Sequence, residues 1–426
     1  MNRQPYQTPP NWWSPRLSPQ WISFWRPLRR RRARRHHGLS SVEVIGGEHV
    51  KQAIQAGHGL LIAPNHPTHT DPYALMEASD QLGVPLHFLT AWQVFAMTHS
   101  LGRRVLRQHG CFSINREGHD LKAIRQGVRI LQHSSQPLVM FPEGEVFHLN
   151  DRVTHFRQGA ATMALRAARR SGRPVACVPC ALKFQYVQDP TAKLSQVMSR
   201  LEQRLSWPPT PEMPLARRIR RLAEGVLSLK ELEYLGQNSR STIRQRVHAL
   251  LNVVLGRLED RYGIQTSLRT VPERVKQLRL RVIACREATS NPDHHVQLER
   301  DLEDLFFVMQ LFSYPADYLA GQPSLERLAE TLDKLEEDVL RAPTASIRGT
   351  RRAIVRFGEP VLVTATGSRE RVVRGVTETL RRRVQQLLDD IELERSTPVP
   401  VGQEATSRAL CPMELLAPWP ERIQPG

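Results

Sequence analysis

Between residues 40 and 190 short apolar runs alternate with helix-patterned stretches, and that rhythm leaves few architectures open. Residues Gly59–Ala63, Val84–Leu89, Cys111–Ile114, Pro137–Phe141 and Val175–Phe184 read as strands. Helical patterns open at Asp71 and cover 120–133 and 157–170. Strands that alternate with helices imply crossover connections and a largely parallel sheet. The expected fold class is α/β: a mostly parallel central sheet flanked by helices.

From about residue 192 the rhythm stops. A stretch rich in Leu, Arg, Glu and Gln runs to about 342, with helical spacing in Ile243–Leu258, Val296–Phe312 and Leu325–Leu340. Pro208, Pro209, Pro211 and Pro214 interrupt it near its start. Ala353–Phe357 and Val361–Val363 then read as two strand segments joined by a tight turn at Gly358-Glu359-Pro360, followed by a helix over about 368–393. The expected organisation is a basic, aromatic segment (1–38), an α/β core (39–191), a helical insertion (192–345), the rest of the core (346–395) and a proline-rich mobile tail (396–426).

The formal net charge of +18 calls for a polyanionic partner: nucleic acid, an anionic bilayer or an acidic carrier protein. The N-terminal segment favours the bilayer. Trp12, Trp13, Trp21, Phe24 and Trp25 precede Arg26 and the run Arg29, Arg30, Arg31, Arg32, Arg34 and Arg35. Tryptophan settles at headgroup level, and arginine is drawn to anionic lipid. Single-stranded nucleic acid would call for aromatics interleaved with the basic residues, so it is the weaker match. A solvated basic tail is the plain alternative. No window holds the roughly 18–20 apolar residues of a spanning helix, and no secretory pattern is present. The expectation is a cytoplasmic protein, peripheral to the inner face of the membrane.

Five cysteines spread along the chain do not form a disulfide framework. Cys177 and Cys180 have CxxC spacing, but in a strand residues three apart face opposite sides. They read as small buried hydrophobes rather than a metal or redox pair.

The chemistry concentrates in Asn65-His66-Pro-Thr-His-Thr-Asp71, where four residues separate a histidine from a carboxylate as a strand gives way to a helix. A neutral imidazole is well matched to take a proton from a hydroxyl near neutral pH. A carboxylate that fixes its tautomer makes it a better base. Asp71 before Pro72 also has the composition of a helix N-cap. His69 competes for the base role but lies too near Asp71 for an easy turn. No Gly-x-Ser-x-Gly elbow and no His-Glu-x-x-His appear, so neither a serine nucleophile nor a metal is needed.

Four ordered blocks carry a resemblance: Asn65-His66…Asp71, Gly110-Cys-Phe-Ser-Ile-Asn-Arg116, Phe141-Pro-Glu143-Gly144 and Val178-Pro-Cys-Ala181. Together they resemble the glycerolipid acyltransferases of the lysophosphatidate and glycerol-3-phosphate type. The resemblance implies that His66 deprotonates an acceptor hydroxyl, which attacks an acyl thioester directly with Asp71 in support. It implies that Arg116 grips the acceptor phosphate and that Glu143, Gly144 and Asn65 belong to the substrate pocket. The implied acceptor is a lysophospholipid such as 1-acyl-glycerol-3-phosphate. The implied donor is acyl-CoA or acyl carrier protein, a substrate rather than a bound cofactor. Two departures bear on the acceptor. Glu145-Val146-Phe147 stands where many lysophosphatidate enzymes have Thr-Arg-Ser, and Ala91-Trp92-Gln93 where they often carry a lysine. The alternative reading is a catalytically silent lipid- or partner-binding protein that works through the helical insertion.

Overall fold

The computed structural model describes residues 5–118, 120–264 and 270–396. The expected tail lies outside the described residues except for Ser396, and so does Cys411. Helix α1 (Pro19–His37) leads into strand β1 (Leu39–Ile45), α2 (Gly47–Gln55), β2 (Gly59–Pro64) and α3 (Asp71–Leu82). Then come β3 (His87–Ala91), the short α4 (Trp92–Ala96), α5 (Ser100–Gln108) and β4 (Cys111–Ile114). The first part closes with α6 (Leu121–His133), β5 (Leu138–Val139), α7 (Gly159–Ser171) and β6 (Val175–Tyr186).

Six helices interrupt the sheet: α8 (Thr191–Arg204), α9 (Leu215–Leu235), α10 (Ile243–Tyr262), α11 (Val271–Ala288), α12 (Pro292–Phe312) and α13 (Leu325–Val339). The chain returns through β7 (Arg351–Phe357), β8 (Val361–Leu362) and α14 (Arg369–Ser396). The sheet has eight strands in the order β1-β7-β6-β2-β5-β3-β4, with β8 also beside β6. Every pair is parallel except β6 with β7 and with β8. The α/β class and the helical stretch before the last strands are as the sequence reading expected.

Alternation along the strands divides the core in two. Leu61, Ala63, Leu138 and Cys177 face α6, α7 and α14. Leu60, Ile62, Val178 and Cys180 face α2, α3 and Ala33 of α1. Cys177 and Cys180 thus lie on opposite faces of β6, both fully buried, as a strand periodicity of two requires. The insertion builds its own packing: α10, α11 and α12 share one apolar cluster, and α8, α9 and α13 another.

Three elements depart from expectation. Ser41–Ile45 belongs to β1, an outer strand beside β7 whose alternation of exposed and buried residues resembles a loop in the sequence. The arginine-rich segment is helix α1, docked by Arg29 on Asp80, by Arg26 on Asp80 at 3.0 Å and by Arg30 on Glu77 at 2.6 Å. Residues 351–362 are not a hairpin. β7 and β8 both run antiparallel to β6, one after the other, because Gly358 continues the pairing by donating its N–H to the Pro179 carbonyl at 2.8 Å.

Strand β6 outruns its neighbour β2, whose pairing ends at Cys180. Two buried asparagines take over the exposed ladder. The Asn65 amide donates to the Leu182 carbonyl at 3.0 Å and accepts the Leu182 N–H at 2.7 Å. Asn150 repeats the arrangement on Phe184 at 2.8 and 2.7 Å. Side chains that mimic a strand satisfy backbone groups that water cannot reach. Asn65→Ala strands one donor and one acceptor, at about 1–3 kcal/mol each. Urea unfolding should therefore show a loss of about 3 kcal/mol for Asn65→Ala and a similar loss for Asn150→Ala; changes below about 1 kcal/mol would mean that these amides do not carry the ladder.

Candidate functional site

The motif residues converge where parallel strands end, the place where open α/β sheets present their ligand clefts. His66 follows β2, Arg116 follows β4, and Phe141 to Gly144 follow β5. His66, Arg116 and Phe141 line a cleft of about 850 Å³, together with apolar residues of α1, β3 and α5 and with Arg279 and Phe306 of the insertion.

Nδ1 of His66 lies 2.6 Å from Oδ2 of Asp71. Asp71 is the first residue of α3, with Pro72 behind it, and it does not cap the helix. Its Oδ2 turns back to accept the Thr68 N–H at 3.1 Å, so the helix start holds the carboxylate beneath the loop. Asp71 is fully buried and its Oδ1 has no hydrogen bond, which pushes its pKa well above the usual carboxylate range despite the Thr68 amide and Arg351. Burial also drives His66 down to about 4, against the pull of Glu143 and with the push of Arg116. A proton on Nδ1 serves the carboxylate and leaves the Nε2 lone pair for an incoming hydroxyl.

Two contacts fix the ring from above and behind. Phe141 stacks on it with centroids 4.0 Å apart. Glu143 accepts the His66 backbone N–H at 2.8 Å through Oε1, and the Thr154 N–H at 3.0 Å and hydroxyl through Oε2. Both oxygens of Glu143 are thus engaged by the chain itself. Burial raises its pKa, with the Thr154 and His66 hydrogen bonds opposing that rise. Gly144 adopts φ +79°, and a Cβ there would sit 2.7 Å from Nε of Arg157. The tight turn and the arginine packed on it leave room only for glycine.

Arg116 donates to the Gly144 carbonyl at 2.7 Å, which brings the second block against the third. Asn65 is buried in its β6 pairing, apart from the cleft lining. His69 points away from Asp71, toward His148 and Glu337.

Several neighbours of the cleft were not read from the sequence. Arg279, on α11, reaches Glu117 and Glu145 at 3.4 Å each, and Arg157 lies 3.6 Å from Glu145. Burial opposes ionisation of Glu145, but Arg279, Arg116 and Arg157 outweigh it and hold its pKa low. Thr154 and Arg157 follow the third block closely and were within reach of local reading. Arg279 was not, because nothing in its own stretch distinguishes it from the other arginines of the insertion.

The two motif departures have a common physical cause. Glu145 faces Arg279, and Phe147 is buried among α10 to α12 with its ring 6.1 Å from Phe312. The residues that replace Thr-Arg-Ser are those that meet the insertion.

No curated protein matches the chain. Residues 41–183 match the family model described as Acyltransferase, and over that span the chain belongs to the glycerolipid acyltransferase family.

Proposed function

We propose that the protein is an O-acyltransferase that moves a fatty acyl group from acyl-CoA or acyl carrier protein to the hydroxyl of a lysophospholipid, 1-acyl-glycerol-3-phosphate being one such acceptor. The observation that carries this reading is the 2.6 Å contact between His66 and buried Asp71 at the wall of the cleft. His66 takes the acceptor proton on Nε2 as the hydroxyl oxygen attacks the thioester carbonyl. The C–S bond then breaks and the thiolate leaves, reprotonated by the imidazolium. Asp71 holds the ring tautomer and offsets the imidazolium charge while it exists.

Charge and shape around the base support a lipid with an anionic head. Arg116, Arg157 and Arg279 face the two carboxylates Glu117 and Glu145, a surplus of positive charge in a recessed site. Guanidinium groups match phosphate oxygens in pairs. Asn65 and Glu143 act in this scheme by positioning backbone, whereas Arg116 contacts the acceptor directly. Leu28, Phe88, Val94, Leu101 and Leu106 line the other end of the cleft and suit an acyl chain.

The mouth also suits a bilayer. Trp21, Phe24 and Leu28 of α1 are exposed, as are Val94, Met97 and Leu101 on or next to α4 and α5. Of the arginine run, Arg29 and Arg30 are engaged on α3, and Arg31, Arg32, Arg34 and Arg35 stay at the surface. Among the described residues no helix is long and apolar enough to cross a membrane, so contact through this apolar rim and its basic border fits peripheral binding.

Two measurements check this scheme. With labelled acyl-CoA or acyl carrier protein and a panel of lysolipids, His66→Ala should lower turnover by about 10³-fold and Asp71→Asn by about 10²-fold, with unchanged circular dichroism. Full activity in His66→Ala would remove the mechanism, and turnover of no lysolipid by the wild type would favour a silent binding protein. In flotation assays the triple change Trp21→Ala, Phe24→Ala, Leu28→Ala should reduce binding to phosphatidylglycerol vesicles at least tenfold; undiminished binding would place the membrane contact elsewhere.

A further inference from the structure

We propose that His69, His148 and Glu337 form a site for a zinc-type divalent cation that clamps the helical insertion to the loop carrying His66. The three side chains come from separate stretches: His69 between β2 and α3, His148 between β5 and α7, and Glu337 on α13. Each offers one ligand atom, and these atoms all lie within 4.8 Å of one another. Two imidazoles and one carboxylate, with a fourth position left for water, is a common zinc donor set.

The distances distinguish a shared ion from ordinary hydrogen bonding. Nε2 of His148 lies 3.2 Å from Oε2 of Glu337, and Nε2 of His69 lies 3.8 Å from Oε1. The second separation is too long for a hydrogen bond, yet that nitrogen is buried and has no hydrogen-bond partner. Ligands of a tetrahedral zinc ion with bonds of about 2.0–2.1 Å stand about 3.3 Å apart, between the two separations seen here. The rings of His69 and His148 are close to perpendicular with centroids 5.6 Å apart, so both nitrogens can approach one point. His148 also holds φ +49°, a left-handed backbone that β-carbon residues adopt at a cost.

The surroundings explain what such an ion would do. His69 lines the same cleft as His66, three residues away, whereas His148 and Glu337 are buried. Phe147 and Leu149, on either side of His148, are packed into the insertion. An ion here would join α13, the loop after β5 and the loop after β2, so that the insertion and the catalytic base become one rigid unit. Burial keeps both imidazoles in the neutral form that binds metal, with His69 near 3, while His148 and nearby cations keep Glu337 ionised against the penalty of its own burial. The chemistry proposed for His66 needs no metal, and the cation is structural.

The test uses the untagged, full-length chain stripped with EDTA, and its readout does not involve turnover. Calorimetric titration with zinc should give about one ion per chain, with binding weakened at least tenfold in both His69→Gln and Glu337→Gln. Cobalt should give the intense visible bands of a four-coordinate ion in the wild type only. X-ray absorption of the zinc-loaded wild type should show two imidazoles and one carboxylate, which decides the matter if either variant misfolds. Wild-type affinity no greater than that of both folded variants, or a six-coordinate all-oxygen environment, would overturn the proposal.

Discussion

The site depends on one buried carboxylate. Glu143 receives the His66 N–H with one oxygen and Thr154 with the other, so it ties the loop after β2 to two points of the segment after β5. A buried carboxylate without partners would cost several kcal/mol, and here each hydrogen bond that offsets the cost also fixes a position near the base. The direction of the His66 ring follows from that backbone constraint, from Phe141 on its face and from Asp71 at Nδ1. A base held in one orientation loses little freedom when its substrate arrives.

The same reasoning explains why the third block departs from the pattern of many lysophosphatidate enzymes. Loop 144–150 is shared between sheet and insertion: Glu145 meets Arg279, Phe147 and Leu149 enter the insertion's apolar cluster, and Asn150 completes the ladder on β6. An arginine at the middle position would face Arg279 and Arg157 without a carboxylate between them. In this account the insertion supplies through Arg279 a cation that the motif has lost, and in doing so becomes part of the cleft wall.

How much of this was legible in the sequence depended on the range of the interactions. Strands such as β2 and β6 are apolar throughout because both faces are covered, and runs of that kind stand out. β1, an outer strand with exposed alternate residues, does not. His66, Asp71, Arg116 and Glu143 could be named because strand ends bring short, ordered blocks together. The pairing of Asp71 was legible, but its position was not: the sequence reading made it an N-cap, whereas it is the first helical residue and turns its carboxylate inward. Arg279 and Glu337 could not be found this way. Each is one charged residue on a helix rich in them, and only the packing of the insertion separates them from their solvated neighbours.

The central claim is that the His66 ring is neutral, with its proton on Nδ1 facing Asp71 and its lone pair facing the cleft. Nitrogen-15 NMR of the imidazoles through a pH titration, with His66→Asn to identify the signal, reads both properties from the same atoms. The account predicts a ring that keeps the Nδ1–H form from neutral pH downward and titrates near pH 4, well below the ordinary 6.5. A ring that titrates near 6.5, or that carries its proton on Nε2, would contradict it.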